Sequence, residues 1–112
     1  HTRASGDFLL MSRESWHRQR GYPEFKTHSY IDGYGCYLAA AHGLRQVIFS
    51  QPDVIYHQEH DRAGVSERPW TDYELFRAQA QQMLNEKKPL VFNAEDWGLG
   101  SIDSLALPVT AS

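Results

Sequence analysis

Several acidic residues and histidines of this 112-residue chain lie at the ends of predicted helices and strands. Asp32 heads a predicted helix, and His57 and His60 follow a predicted strand. A carboxylate held at a helix start can take the proton of a substrate hydroxyl, which makes Asp32 the candidate catalytic residue. Aspartate at that position is also a favoured N-cap, so a purely structural role for Asp32 stays open.

His57 and His60 are the candidate metal ligands, with Glu59 between them. Imidazole and carboxylate groups are common ligands of divalent metals. Side chains alternate along a strand, so His57 and His60 share one ion only if the strand ends between them. Two strand-end histidines that bind no metal are the alternative.

A third group of residues has the chemistry of a carbohydrate subsite. Sugar rings stack on aromatic side chains, and carboxylates accept hydrogen bonds from hydroxyl groups. The alternative is that the aromatic members close the core or anchor a loop. The candidates are Asp7, Tyr22, Glu24, Asp96 and Trp97.

Composition limits the partners that this chain can have. A hydrophobic share of 41% with an aromatic share of 12% is enough for a single domain with one modest core. A formal charge of -3 gives no basic surface for nucleic acid or an anionic membrane. No apolar run approaches the roughly 20 residues of a membrane-spanning helix. The single Cys36 excludes an internal disulfide and favours a reducing, cytoplasmic compartment, and the start at His1 indicates a cut chain or a tag boundary.

Hydrophobic periodicity predicts an α/β or α+β domain of three to four strands and three helices. Short apolar runs predict strands at residues 8–11, 46–49, 54–58 and 90–92. The first predicted helix runs from Ser12 to Arg20, and the second runs from Asp32 to about His42, with Gly43 as its stop. The third begins at a capping box formed by Thr71 and Glu74 and reaches about Lys87. Residues 61–69 are predicted to be a mobile loop and 101–112 a tail.

The predicted helices carry apolar stripes that would face a core. The first such stripe is Tyr34, Tyr37, Leu38 and Ala41, and the second is Tyr73, Phe76, Ala80, Met83 and Leu84.

The order of these motifs resembles the acceptor-side, C-terminal half of a bacterial glycosyltransferase-like protein of the GT-A type. The resemblance rests on residues 6–16 (GDFLLMSRESW), 20–24 (RGYPE), 30–34 (YIDGY), 56–60 (YHQEH) and 93–99 (NAEDWGL). It covers most of residues 1–100, which we expect to form one acceptor-side domain. It implies Asp32 as the base, a histidine after the strand near the leaving diphosphate, and a divalent Mn or Mg ion.

The chain lacks the donor-side signatures of such enzymes. It has no Asp-x-Asp motif and no glycine-rich phosphate loop, and one acid stands before the acceptor-side helix where related proteins carry two. The resemblance therefore implies a fragment that transfers sugar from a nucleotide-sugar to a hydroxyl acceptor only in its intact parent. The alternative is a non-catalytic α/β module that binds carbohydrate or a protein partner, with a homodimer among the possibilities.

Overall fold

The computed structural model describes residues 6–60 and 69–100. Within these ranges the chain forms three helices: α1 (Arg13–Gln19), α2 (Ile31–Ala41) and α3 (Tyr73–Glu86). The β-pairing found there is a single isolated parallel bridge between His28 and Trp70. The predicted α/β fold with three to four strands, like that of a GT-A half, is therefore wrong for the described residues, which are helical. The predicted tail and residues 61–68 of the predicted loop lie outside the described residues.

All four segments predicted as strands are irregular instead. Alternating apolar residues favour a strand, but a strand is stable only when a neighbour completes its hydrogen-bond ladder. Residues 47–49 and 54–56 remain exposed, without such a neighbour. The prediction failed because an alternating apolar pattern shows only that a segment favours a strand. It does not show that a second strand is present to pair with it.

Helix α1 begins and ends as the sequence predicts. The Ser12 hydroxyl accepts a hydrogen bond from the Ser15 backbone N–H at 3.1 Å, which caps the helix. At the other end Arg20 takes a left-handed conformation with φ 58°, and Gly21 follows with φ 68°. These two residues end the helix and change the direction of the chain before Tyr22.

Helix α2 begins one residue earlier than predicted. Its N-cap is Tyr30, at φ 58° and without a side-chain cap, so Asp32 lies inside the first turn. The interpretation of Asp32 as an N-cap is therefore wrong, although its charge still favours the positive end of the helix. The predicted C-terminal stop is confirmed, since His42 is the C-cap and Gly43 has φ 84°.

Helix α3 is capped by Asp72 and not by Thr71. The Asp72 carboxylate accepts a hydrogen bond from the Leu75 N–H at 3.0 Å. The Thr71 hydroxyl lies 2.7 Å from the His28 carbonyl oxygen, and it thereby ties the start of α3 to the loop before α2.

The core lies between α2 and α3. Its buried members are Tyr34 and Leu38 from α2 with Phe76 and Met83 from α3, which confirms most of both predicted stripes. Tyr73 and Leu84 are the exceptions, being about half exposed. Partly buried residues pack around this centre: Phe25, Tyr30, Tyr37, Ala41, Leu90 and Phe92. None of the helices among the described residues is long and apolar enough to cross a membrane.

The Tyr34 phenol makes stability sensitive to alkaline pH. Its hydroxyl donates to Gln79 Oε1 at 2.6 Å, and burial, assisted by the charge of Asp72, raises the pKa of Tyr34 above 10.0. The unfolded chain then loses this proton before the folded chain does, so the free energy of unfolding falls as the pH rises past about 10. We expect Tyr34→Phe to flatten this decline in urea titrations, whereas Tyr56→Phe, at a 94% exposed position, keeps it. An unchanged decline in Tyr34→Phe would contradict the assignment.

Candidate functional site

A hydrogen-bonded acid and imidazole join two distant parts of the chain. His57 Nδ1 lies 2.8 Å from Asp7 Oδ1, although the two residues are 50 positions apart. Both side chains are solvent-accessible, at 62% for His57 and 40% for Asp7. A carboxylate bonded to one ring nitrogen fixes the imidazole and leaves its other nitrogen, Nε2, for a ligand.

Asp32 lies against the residue that precedes Asp7. A Cβ placed on Gly6 would stand 3.3 Å from Asp32 Oδ2, so the Asp32 carboxylate packs against the backbone immediately before Asp7. A side chain at position 6 would crowd that carboxylate. We refer to Asp7, Asp32 and His57 as the polar cluster. The structure thus joins Asp7 to His57 and places the Asp32 carboxylate against Gly6, the residue before Asp7.

His60 extends the polar cluster on the His57 side. The two imidazole rings lie 5.6 Å apart between centroids and are inclined by 30°. Among the described residues no three or more His, Cys, Asp or Glu side chains are arranged to hold a metal ion. The role of His57 and His60 as metal ligands stays a prediction.

Tyr22 packs against α2, the helix that carries Asp32. Its ring packs edge-on against Trp16 with centroids 5.1 Å apart. A Cβ on Gly35 would lie 2.6 Å from Tyr22 Cε1, so a glycine in α2 is what lets this ring approach the helix. Burial, together with the negative charges of Cys36 and Asp32, raises the pKa of the Tyr22 phenol.

Glu24 and Trp97 belong to a different contact, between the turn after α1 and the loop after Phe92. Glu24 Oε1 accepts a hydrogen bond from the Gly98 N–H at 2.7 Å. The Trp97 ring lies over Gly21, where a Cβ would come within 2.8 Å of it. Asp96 is exposed in the same loop. These contacts assign Glu24 and Trp97 a role in fixing the loop, and their predicted role in binding substrate stays a prediction.

Asn93 holds this contact together, and sequence reasoning missed it. Its amide nitrogen donates to the carbonyl oxygens of Arg20 and Tyr22, both at 2.7 Å, and its Oδ1 accepts from the Glu24 N–H at 2.9 Å. Arg20 returns a bond from Nη1 to the Asn93 carbonyl oxygen at 2.9 Å. We call these contacts the Asn93 clasp. An Asn that directly follows an apolar run was the available signal, since its side chain can satisfy several backbone groups.

Comparisons of the chain with protein-family models, with curated proteins and with solved structures find no significant match.

Proposed function

We propose that the polar cluster is the acceptor side of a sugar-transfer site. The chain then acts as part of a glycosyltransferase-like protein whose nucleotide-sugar site is supplied from outside these 112 residues, and it is inactive alone. The observation that carries this proposal is the 2.8 Å contact between Asp7 and His57, together with the Asp32 carboxylate that packs against Gly6. It supports the proposal because an acid and an imidazole meet there on solvent-accessible side chains.

Asp32 is the base of the proposed reaction. The acceptor oxygen attacks the anomeric carbon of the donor sugar, and its proton passes to the Asp32 carboxylate as the new C–O bond forms. The bond from that carbon to the diphosphate breaks, and its electron pair leaves with the nucleoside diphosphate. These bond changes are those of an inverting transfer, in which a single displacement occurs at the anomeric carbon.

His57 faces the leaving group in this proposal. The hydrogen bond between Nδ1 and Asp7 gives the ring a fixed orientation, with Nε2 on the side of the departing diphosphate. His57 and His60 are also the residues that would offer nitrogen to a divalent cation, whose chemistry would be to neutralise diphosphate charge. Tyr22, whose ring packs against α2 at Gly35, would add a hydroxyl donor for the acceptor sugar.

The proposal is tested on the 112-residue chain by titration of its amide NMR signals. Methyl glycosides of glucose, galactose, mannose and N-acetylglucosamine serve as acceptor probes, and UDP and GDP with magnesium serve as leaving-group probes. We expect a methyl glycoside to shift the signals of Asp7, Tyr22 and Asp32 with millimolar affinity. Asp32→Asn should weaken this binding about tenfold, because one charge-assisted hydrogen bond is lost.

Asp53→Asn is the matched control, since Asp53 is an exposed carboxylate in the turn between the two apolar runs. It should leave the affinity unchanged. The absence of any glycoside response at the polar cluster would contradict the proposal. Sugar binding that survives Asp32→Asn would instead indicate a carbohydrate-binding module that uses other groups.

A further inference from the structure

A serine and a histidine that are neighbours in the chain are hydrogen-bonded to each other just before α2. Ser29 Oγ lies 2.9 Å from His28 Nδ1. Both residues are partly buried, so solvent and small molecules can reach the pair. A hydroxyl within hydrogen-bond reach of an imidazole is the arrangement that activates a serine as a nucleophile, because the ring can take the hydroxyl proton. Neither residue belongs to the polar cluster.

The backbone at Ser29 is held in a conformation that serine rarely adopts. Its φ is 73°, and Tyr30 follows with φ 58°, so two consecutive residues with side chains lie in the left-handed region. Such a conformation costs free energy and persists where the surrounding structure imposes it, which is common at catalytic sites. His28 forms a bridge with Trp70, and α2 begins at Ile31. The order therefore resembles a nucleophile elbow, in which a serine lies on a strained turn between a strand and a helix.

The segment around Trp70 fixes the position of His28. The His28 N–H donates to the Pro69 carbonyl oxygen at 3.1 Å, and the Thr71 N–H donates to the His28 carbonyl oxygen at 2.9 Å. The Thr71 hydroxyl lies 2.8 Å from the Ser29 carbonyl oxygen. The imidazole packs against the Trp70 indole with ring centroids 4.3 Å apart. Backbone bonds and ring packing thus orient the imidazole towards the serine.

The pair is a dyad and not a triad. Within the described part of the chain, the His28 ring bonds to Ser29 and takes part in neither of the ion pairs. Disabling the acid that orients the histidine of a complete triad lowers kcat by roughly 10⁴-fold. Turnover by this pair is therefore expected to be slow, and the transfer of an acyl group to the serine is the step to measure.

The surroundings of the pair favour an ester with an apolar acyl group. The Trp70 indole beside His28 is 70% exposed. The Tyr73 ring is 50% exposed and lies 5.5 Å from the Tyr30 ring between centroids. Aromatic surfaces of this kind can pack against an apolar acyl chain. The start of α2 follows Ser29 closely, and the positive end of its dipole favours the negative charge that develops on the substrate carbonyl oxygen.

We propose that Ser29 is a nucleophile that takes acyl groups from carboxylic esters, with His28 as its general base. Ser29 Oγ bonds to the ester carbonyl carbon while its proton passes to His28 Nδ1. The bond from that carbon to the alcohol oxygen breaks, and the alcohol leaves with the proton that His28 held. Water then attacks the acyl carbon, His28 transfers a proton from the water to Ser29 Oγ, and the carboxylic acid is released. The proposal does not depend on sugar transfer.

The test uses the 112-residue chain with 4-nitrophenyl butyrate and, separately, with a fluorophosphonate. We expect a burst of about one 4-nitrophenolate per chain followed by slow turnover, because the acyl-serine accumulates. Ser29→Ala should abolish the burst, and His28→Gln should lower its rate by about 100-fold or more, the contribution expected of a general base. Mass spectrometry of the unaltered chain should locate the fluorophosphonate adduct on Ser29, and this result does not depend on any variant.

Ser50→Ala and His17→Gln are the matched controls, since both residues are exposed and lie outside the dyad. Both variants should keep the burst and the adduct. Circular dichroism should show the same helices in Ser29→Ala as in the unaltered chain. A burst that persists in Ser29→Ala would overturn the proposal and assign the reaction to another group. An adduct located on another residue, or a chain that forms neither burst nor adduct, would overturn it as well.

Discussion

Leu38→Ala is expected to lower the free energy of unfolding by about 2–5 kcal/mol, the range seen when a buried leucine is truncated in a packed core. Leu38 is 1% exposed and lies in the α2–α3 core with Tyr34, Phe76 and Met83. Truncation removes apolar contacts with that core and leaves a cavity that two rigid helices fill poorly. Because small domains are marginally stable, a loss of this size approaches the whole stability of the chain.

Leu75→Ala is the matched control for this prediction, since it removes the same atoms from a side chain that is 53% exposed on α3. It should cost less than about 1 kcal/mol. Urea unfolding followed by circular dichroism measures both variants. Equal losses at the two positions would show that the core does not lie between α2 and α3.

Asn93→Ala is expected to cost about 2–4 kcal/mol, because three side-chain hydrogen bonds disappear together and three backbone groups lose these partners. Those groups are the carbonyl oxygens of Arg20 and Tyr22 and the N–H of Glu24. Loss of the Asn93 clasp should also release Trp97 from its position over Gly21. The tryptophan emission should therefore shift to longer wavelength even under conditions where the helices persist.

Asn85→Ala provides the comparison, because Asn85 is an exposed α3 residue whose Oδ1 accepts one hydrogen bond from the Gln81 side chain. An exposed side-chain pair on a helix contributes a few tenths of a kcal/mol, so its loss should hardly register. The role of Asn93 as the centre of the clasp would be disproved by a cost no larger than that of Asn85→Ala.

The helices could be predicted from the sequence because the signals that define them are local. Ser12 marks the start of α1, Gly43 follows the end of α2, and the apolar stripes of α2 and α3 repeat with the helical period. The N-cap residues of α2 and α3 were predicted wrongly because neighbouring residues compete for the cap position. Tyr30 precedes Asp32 as the cap of α2, and Asp72 displaces Thr71 as the cap of α3 because its carboxylate reaches the Leu75 N–H.

The sequence indicated which residues belong to the candidate site, but it did not indicate which of them contact one another. Sequence reasoning paired Asp32 with His57 through the order of motifs, but it placed Asp7 among substrate contacts, whereas the structure bonds Asp7 to His57. It also grouped Tyr22 with Glu24 and Trp97. The structure packs Tyr22 against α2 at Gly35 and engages the other two in the contact between the α1 turn and the loop after Phe92.

The sequence by itself determined where the helices run and which of their faces are apolar, because capping and helical periodicity act within a few residues of chain. Only the tertiary structure decided that the β-like runs stay unpaired, that Asp7 meets His57, and that Asn93 closes on the turn after α1. Each of these depends on groups that are tens of residues apart. Their approach is set by how α1, α2 and α3 pack, and no short-range pattern encodes it.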